Sequence, residues 1–239
     1  MKIATWNIRH GGSKLKLPGI LASLLKPAAD ILIITEFQTK SAHFLESGLK
    51  DAGYDYLISS QPPEKMNGIL IASKYACSPK AQHYHPNNPY RWLEVELPGF
   101  DINILALHIP EWGSKWDKAT FWKEVIHYAK DHLHTSTILG GDFNTGLELD
   151  TTGEEFACPE YMAELVDLGW VDAWRKLHPD LRDYTWRSPR HWFSMRLDYI
   201  FLSPGLGNRM LNAQHNHTVR LEEKLSDHSM LIVDMINPR

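Results

Sequence analysis

Residues 137–144, Thr-Ile-Leu-Gly-Gly-Asp-Phe-Asn, form the most informative stretch of this sequence. The apolar start is typical of a buried strand, and the two glycines let neighbouring backbone approach closely. Asp142 and Asn144 follow, and in an extended segment they point to the same side. A carboxylate that can hold or deprotonate water, beside an amide that can orient it, indicates hydrolytic chemistry. Asp and Asn after Gly also form ordinary turns, so this stretch alone leaves a structural role open.

The chain before this stretch repeats one unit, which is an apolar strand, a polar tip and a helix. Asn7 lies at the end of the first predicted strand, and Glu36 lies just after the second. Apolar residues at helical spacing follow each tip, with Pro18 at the start of the first helix and Gly53 after the second. The predicted strands are residues 2–8 and 29–34, and the predicted helices are residues 18–27 and 42–52.

The rest of the chain is richer in strands, and Pro, Asn and Gly turns between the middle ones indicate antiparallel pairs. The further predicted strands are residues 54–60, 68–73, 90–97, 101–108, 197–203, 209–219 and 229–236, and the further helices are residues 116–133 and 159–168. Each sheet must bury a side, so we expect an α/β fold of two mixed, mostly antiparallel sheets packed face to face with helices outside. At 43% hydrophobic residues, the chain can bury such a core as a single domain of residues 1–239.

Polar side chains of catalytic types lie at or beside the ends of these strands, where sites are commonly built. They are Asn7, Glu36, His108, Asp142, Asn144, Asp198 and the pair Asp227-His228. Oxygen ligands from Glu36, Asp227 and Asn7 are of the kind that Mg²⁺ prefers. Asp198 is a candidate carboxylate to orient His228, and an imidazole so held can stabilise charge or transfer a proton at neutral pH.

Six motifs follow one another along the chain: Thr5-Trp6-Asn7, Glu36, Leu107-His108, Gly141-Asp142-Phe143-Asn144, Arg196-Leu197-Asp198-Tyr199-Ile200 and Ser226-Asp227-His228. These motifs and their order resemble the endonuclease/exonuclease/phosphatase superfamily, which has the DNase I-like fold, over essentially the whole chain. The resemblance implies a four-layer α/β/β/α sandwich and Mg²⁺- or Mn²⁺-dependent cleavage of a phosphoester.

The resemblance also implies a role for each of these residues. Glu36 is expected to be the principal metal ligand, with Asn7 and Asp227 close to the ion. Asp142 and Asn144 are expected to position the attacking water, Asp198 to orient His228, and His108 to contact the scissile phosphate. Whether Asp142 or His228 takes the proton stays open at this point.

The substrate is a separate question, because one catalytic centre on this fold serves several substrate classes. His108 stands where the abasic-site endonuclease and exonuclease III branch has a Tyr, which disfavours that branch. Arg9 resembles a DNase I arginine that helps hold substrate phosphate. In residues 184–196 cations alternate with aromatics, so Arg190 could pair with phosphate while Trp186 stacks on a base.

We therefore expect a nuclease with a nucleic acid substrate, and DNA is favoured. The alternative within the enzymes is a phosphatase or phosphodiesterase for a small phosphorylated metabolite. A catalytically silent binding module is disfavoured, because such a module would be expected to lack some of the motif residues, and none is missing.

Composition narrows the cellular setting. The formal net charge of −4 argues against indiscriminate coating of nucleic acid, although a bound divalent cation could still receive a phosphate. Two cysteines, Cys77 and Cys158, are too few for a disulfide framework, and neither a signal peptide nor a membrane-spanning apolar run is evident. We expect a cytoplasmic protein with no membrane association and no obligatory protein partner.

Three His-x-His pairs, at residues 83–85, 132–134 and 215–217, raise the question of a zinc site. If extended, each pair places two imidazoles on one side. None has a nearby Cys or an obvious third ligand in the sequence, so surface or packing roles are favoured.

Overall fold

Two sheets of six strands each form the centre of the protein in a computed structural model that describes residues 1–189 and 192–237. The first sheet has the strand order β13-β14-β1-β2-β4-β3. Its strands are β1 Lys2–Asn7, β2 Ile31–Phe37, β3 Tyr56–Ser59, β4 Gly68–Ser73, β13 Met210–Asn216 and β14 Met230–Met235. Only β1 and β2 are parallel among the strand pairs described in this sheet.

The second sheet has the order β5-β6-β7-β8-β12-β9. Its strands are β5 Ser78–Pro79, β6 Trp92–Leu97, β7 Ile102–His108, β8 Thr137–Asp142, β9 Val171–Asp172 and β12 Asp198–Leu202. Here β7 and β8 are parallel and the other described pairs are antiparallel. A small ribbon of β10 Trp186–Arg187 and β11 Ser194–Met195 lies beside it.

Alternating side chains of the central strands fill the core on both faces of each sheet. In β2, Ile31 and Ile33 belong to the apolar cluster between the sheets, whereas Leu32 and Ile34 pack under the helices on the outer face. Strands buried on both faces need an apolar residue at nearly every position, which explains their continuous apolar runs. The expected mixed, mostly antiparallel sheets and their face-to-face packing are confirmed.

Helices cover the two outer faces and complete the four layers. On the first sheet lie α1 Leu17–Leu25 and α2 Thr39–Asp51, and on the second lie α3 Lys118–Asp131 and α4 Pro159–Asp167. Two short helices, α5 Ala173–Leu177 and α6 Thr218–Leu221, lie later in the chain. Within the described ranges, no helix is both long enough and apolar enough to cross a membrane.

The structure corrects one predicted strand, residues 209–219, which ends at Asn216 and passes into α6. The side-chain oxygen of Asn216 accepts a hydrogen bond from the Thr218 N–H at 3.1 Å. Such local bonds offer the backbone an alternative to the strand ladder, which periodicity alone does not reveal.

Candidate active site

Strand ends from both sheets meet at one edge of the sandwich. Asn7 ends β1, which runs parallel to β2, and the pairing of β7 with β8 sets His108 opposite Asp142. The antiparallel strand β12 begins at Asp198, which is also opposite Asp142. Because the carboxyl ends of parallel strands lie on the same side of a sheet, polar tips far apart in sequence become neighbours.

Asp142 lies at the centre of this group. The Asn7 Nδ2 donates a hydrogen bond to Asp142 Oδ2 at 2.9 Å and another to Glu36 Oε1 at 3.0 Å. The Nε2 atoms of His108 and His228 lie 3.8 and 3.9 Å from Asp142 Oδ2. Asn7 belongs to the first sheet and Asp142 to the second, so the hydrogen bond between them crosses the sandwich.

His228 is held by Asp198 on its other side, with His228 Nδ1 at 2.9 Å from Asp198 Oδ2. Burial opposes the charged form of this imidazole, but the carboxylates of Asp198 and Asp142 outweigh burial and raise the pKa of His228 to about 10. Burial also raises the pKa of Asp142 to about 7, against the opposing influence of His228. His108 differs, because burial and the charge of Arg91 lower its pKa well below the ordinary value. The cluster therefore contains one charged and one neutral imidazole beside a carboxyl group that can exchange a proton near neutral pH.

Glu36 reaches this group through a bulge in β2. The register of β2 against β4 shifts between Thr35 and Phe37, and Glu36 has a positive φ of 55°. Bulges and left-handed residues re-aim side chains and are common at functional sites. Burial would raise the pKa of Glu36, but its bond to His10 at 3.0 Å and a hydrogen bond from Asn7 outweigh burial and hold that pKa well below the ordinary value.

The oxygen atoms gathered here suit a hard divalent cation. Glu36 is an ionised carboxylate that is partly exposed to the cleft, and Asp227 lines the same cleft. The Asn7 Oδ1 accepts a hydrogen bond from the Arg9 N–H at 2.9 Å, and Arg9 Nε lies 3.7 Å from Asp227 Oδ2. Donor atoms of Asp142, Asp198 and His228 also lie within 4.8 Å of one another. Such a density of carboxylate oxygens around one cleft fits Mg²⁺ or Mn²⁺.

These side chains open into one cleft of about 310 Å³. Its lining residues are Glu36, His108, Glu111, Asp142, Asn144, Glu154, Trp186, Phe193, Met195, Leu197, Asp227 and His228. The Asn144 Nδ2 donates to the carbonyl of Ile109 at 2.9 Å, and the Asn144 N–H donates to Asp142 Oδ1 at 3.0 Å. Asp142 and Asn144 both line the cleft, although β8 ends at Asp142 and Asn144 has a positive φ of 49°, so the two do not share one side of an extended segment.

The order and spacing of these groups agree with a known family. A model described as Endonuclease/Exonuclease/phosphatase family matches residues 4–228. The chain belongs to this family. Members of the family hydrolyse phosphoester bonds, so this chain is a phosphoester hydrolase of the nuclease and phosphatase type.

Solved structures show the same fold as this family member. An AP endonuclease from Archaeoglobus fulgidus is 23% identical with a TM-score of 0.82, covering 98% of this chain and 99% of that one. The 3' phosphatase NExo from Neisseria, bound to product DNA hairpin, is 20% identical with a TM-score of 0.81 and 99% coverage of both chains. The 3'-5' exonuclease NExo from Neisseria meningitidis is 22% identical with a TM-score of 0.80, covering 98% and 99%. The four-layer DNase I-like sandwich is thereby confirmed.

The predicted substrate residues have different surroundings in this family member. Trp186 forms part of the cleft wall, with a backbone bridge to His228 and its ring 6.1 Å from that of Phe193. Arg9 is half-exposed and does not line the cleft, but its Nε lies 3.7 Å from Oδ2 of the cleft residue Asp227. Arg190 lies outside the described residues. In the described part of this loop Trp192 is the most exposed aromatic residue, at 93%, and the Arg187 guanidinium lies 5.8 Å from its ring centroid.

Lys118, the first residue of α3, was not among the predicted site residues. Its ammonium group is buried and donates to the carbonyl of Asn144, and burial lowers the pKa of Lys118 to about 8. The pattern contained a signal, because Lys118 falls on the same helical stripe as Phe121, Trp122 and Val125. A lysine on the apolar face of a helix needs a polar partner inside the protein.

Two hydroxyl groups beneath the cluster were also missed. The Thr185 hydroxyl accepts hydrogen bonds from the N–H groups of Leu197 at 3.0 Å and Asp198 at 3.2 Å. The Ser226 hydroxyl donates to the Asn7 carbonyl at 2.6 Å and accepts from the His228 N–H at 3.1 Å. Both join segments distant in sequence, which no local pattern indicates.

Proposed function

We propose that this hydrolase is a divalent-metal-dependent phosphodiesterase that acts on DNA as a nuclease. The observation that carries the proposal is the convergence of Glu36, Asp142 and the Asp198–His228 pair in one cleft. We also propose that residues 1–239 act as one domain. We place the protein in the cytoplasm, because both cysteines lie in the described residues and neither forms a disulfide.

In this proposal Glu36, Asp227 and Asn7 hold Mg²⁺ or Mn²⁺ at the cleft. When bound, such an ion would stabilise the negative charge that develops on the phosphate. Asn7 also holds Glu36 and Asp142 together through its amide nitrogen. Arg9 offers a half-exposed guanidinium beside Asp227, at a place where it could meet a second phosphate of the substrate.

The remaining residues act on water and on the phosphate. Asp142 and Asn144 orient the attacking water, and the raised pKa of Asp142 suits it to accept a proton. His228, held by Asp198 and charged at neutral pH, stabilises the phosphate oxygens and shares the proton with Asp142. His108 is neutral and contacts the phosphate through a hydrogen bond.

DNA is favoured as the substrate by the ribbon of β10 and β11 beside the cleft. Trp186 and Phe193 form an aromatic wall, and Trp192 and Arg187 extend it towards solvent. Aromatic rings stack on bases and arginines pair with phosphates, so a polynucleotide leaving the cleft meets suitable partners. Of the similar structures, one is an AP endonuclease and another is bound to a product DNA hairpin.

A small phosphorylated metabolite is the second candidate substrate. Glu154 and Glu111, the latter paired with Arg91 at 3.0 Å, place two further carboxylates in the cleft. The charge of Glu154 in particular, which is unpaired among the described residues, would repel the continuous backbone of a long polyanion. A compact phosphate ester could bind the ion and catalytic residues without passing these groups.

A substrate panel tests the proposal. Labelled single-stranded, double-stranded and abasic DNA, RNA and several phosphate monoesters are incubated with Mg²⁺ and with Mn²⁺. We expect metal-dependent cleavage of DNA, and loss of that cleavage in Glu36→Gln with an unchanged melting temperature, because an amide is a far weaker ligand for a hard dication. Turnover of the monoesters alone would overturn the DNA assignment. Full activity of Glu36→Gln, or unchanged Mg²⁺ binding by it in a calorimetric titration, would overturn the metal assignment.

A further inference from the structure

Asp183, His215 and His217 form a second cluster of metal-ligating side chains, on the far side of β14 from the cleft. Asp183 belongs to the loop after α5, and the histidines lie at the end of β13. The sequence showed a His-x-His pair with no third ligand, and the fold supplies the missing carboxylate. The donor atoms of the three side chains lie within 4.8 Å of one another.

The contacts in this cluster converge on one carboxylate. His215 Nδ1 lies 2.8 Å from Asp183 Oδ2, and His217 Nε2 lies 2.9 Å from Asp183 Oδ1 and 3.0 Å from Oδ2. Metal–ligand bonds of about 2.0 to 2.2 Å in tetrahedral geometry place neighbouring ligand atoms about 3.3 to 3.6 Å apart, slightly farther than the contacts with Asp183. A small dication therefore needs only slight movement of the three side chains.

The surroundings fix each ring and leave one side open. His215 is buried and stacks on Trp174 with centroids 4.8 Å apart, and His217 Nδ1 lies 2.8 Å from Ser229 Oγ. Ligand orientation by such outer contacts is typical of metal sites. The side chains of His217 and Asp183 are 29% and 31% exposed, so an ion can enter and keep a water ligand.

We propose that Asp183, His215 and His217 form a second metal site, which takes a borderline transition-metal ion such as Zn²⁺ rather than Mg²⁺. Two nitrogens and one oxygen, with water as a fourth ligand, are a donor set for Zn²⁺, whereas the oxygen-rich active site suits a hard ion. The two sites therefore select different metals, and this assignment does not depend on the substrate of the cleft.

The role of this ion is to hold a loop under the catalytic pair. Thr185 lies two residues after Asp183, its hydroxyl accepts the N–H of Asp198, and its carbonyl accepts the N–H of Ser229 at 2.8 Å. An ion linking Asp183 to β13 would tether this loop and so support the position of Asp198 and His228. The site would be structural and would touch neither substrate nor water in the cleft.

A cobalt titration of the full-length protein tests the site. Chelator-stripped protein is titrated with Co²⁺ in excess Mg²⁺, and then with Zn²⁺. We expect one equivalent of Co²⁺ with the visible bands of four-coordinate cobalt, displacement by Zn²⁺, and a melting temperature raised by about 5 °C at saturating Zn²⁺. If the wild-type protein shows no such cobalt bands, the proposal is overturned, and Asp183, His215 and His217 form only a hydrogen-bonded triad.

Variants locate the bound ion. Asp183→Asn keeps a side-chain oxygen for the imidazoles but removes the charge, and His217→Ala removes a partly exposed ligand, so each should weaken Co²⁺ binding at least 100-fold. His134→Ala, from another His-x-His pair, and Glu36→Gln, from the cleft, should bind Co²⁺ as the wild type does. Loss of binding in Glu36→Gln with retention in Asp183→Asn would assign the ion to the cleft and overturn the proposal.

The proton on His215 gives a readout independent of activity and stability. A bound ion occupies Nδ1 and leaves the proton on Nε2, whereas a hydrogen-bonded triad keeps the proton on Nδ1. Nitrogen-15 spectra of the histidine rings, recorded with and without Zn²⁺, distinguish the two tautomers. A proton that stays on Nδ1 at saturating Zn²⁺ would contradict the site.

Discussion

At the scale of single residues, the active site depends on charges placed where water cannot screen them. Asp142 and Asp198 are each about 1% exposed or less, and His228 lies between them. Two buried carboxylates would repel each other, and the imidazolium of His228 relieves that repulsion. His228 is therefore coupled to both carboxylates, and removing one member changes the state of the others.

The first prediction concerns the coupling of Asp198 and His228. Asp198→Ala and His228→Ala should each lower kcat by about 10²- to 10⁴-fold, the range for a lost proton-transfer group. The double variant should be little worse than the worse single variant, because residues that act as a unit are not additive. Steady-state kinetics of the four proteins measure this. Losses that multiply would show that the two residues work independently.

The second prediction concerns Lys118 and follows from its lowered pKa. The unfolded chain holds the lysine proton up to about pH 10.4, whereas the folded protein releases it near pH 8. Between these values the unfolded state binds more protons, so this residue makes the free energy of unfolding rise with pH. Relative to Lys118→Met, the wild type should gain about 2 kcal/mol between pH 7 and pH 10.

Urea unfolding of both proteins across that pH range measures the difference. Because His228 is present in both proteins, its opposite effect on stability cancels in the comparison. A difference that stays constant with pH would show that Lys118 titrates normally despite its burial.

The types of the site residues were the easiest feature of the site to predict from the sequence. The contacts that surround those residues were the hardest to predict. Asp142 and Asn144 were predicted from their types, and both line the cleft, but Asn144 follows the end of β8 with a positive φ instead of continuing the extended strand. The buried hydrogen bond of Lys118 to the Asn144 carbonyl was missed, and so was the Asp183 carboxylate beside His215 and His217. Both depend on contacts between segments far apart in sequence, which no local pattern encodes.

At the scale of elements, β8 has to approach its neighbours unusually closely. Gly141 has a φ of +139°, and a Cβ built on it would lie 1.9 Å from the carbonyl oxygen of Leu107 in β7. The obstacle is backbone, which cannot move without disrupting the sheet. The glycine before Asp142 is thus required by the geometry that places Asp142 beside His108.

The third prediction tests this requirement. Gly141→Ala should lower the free energy of unfolding by about 3 kcal/mol or more, since it combines a backbone clash with a strained φ. Gly99→Ala is the matched control, because no atom lies within 4 Å of a Cβ there. Chemical denaturation of the two variants gives the comparison, and equal stability would mean that β8 can shift to accommodate a methyl group.

The fourth prediction concerns the ribbon of β10 and β11. Trp192→Ala should weaken action on DNA by about 1 to 3 kcal/mol, the cost of a lost stacking contact, and leave a minimal aryl phosphodiester unaffected. The exposure of Trp192 makes it a cleaner test than Trp186, which also supports His228 through the backbone. The test is to measure kcat/KM of the variant on both substrates. An equal loss of kcat/KM on both would mean that Trp192 supports the catalytic residues rather than DNA binding.

Elements were predicted well where apolar periodicity was long. The central strands and the four main helices lie where the pattern placed them, because burial on a fixed face demands that pattern. Boundaries set by side-chain bonds were missed: α3 begins at Lys118 because Asp117 accepts the N–H groups of Ala119 and Thr120 at 3.3 and 3.1 Å. Such caps depend on the local conformation as much as on the residue type.

At the scale of the whole molecule, the site exists only because two sheets pack together. The first sheet supplies Asn7, Glu36 and the segment with His228, and the second supplies Asp142 and Asp198. The two hydrogen bonds that join these sets cross the sandwich. The packing of side chains between the sheets therefore sets the distances of the active site, which explains why the sequence predicted the participants and not their separations.

The last prediction uses two neighbouring residues of β2 that face opposite ways. Ile33 belongs to the cluster between the sheets and its Cδ1 atom lies against Gly140 of β8, whereas Ile34 packs under the helices. Both are fully buried, so Ile33→Val and Ile34→Val should each cost about 0.5 to 1.5 kcal/mol of stability. Only Ile33→Val removes a contact between the sheets, and small displacements of reacting groups are costly. We expect kcat to fall several-fold in Ile33→Val and to stay near the wild-type value in Ile34→Val, measured well below both melting temperatures. Equal activities at equal loss of stability would show that the hydrogen bonds of Asn7 and His228 hold the site together without help from the core between the sheets.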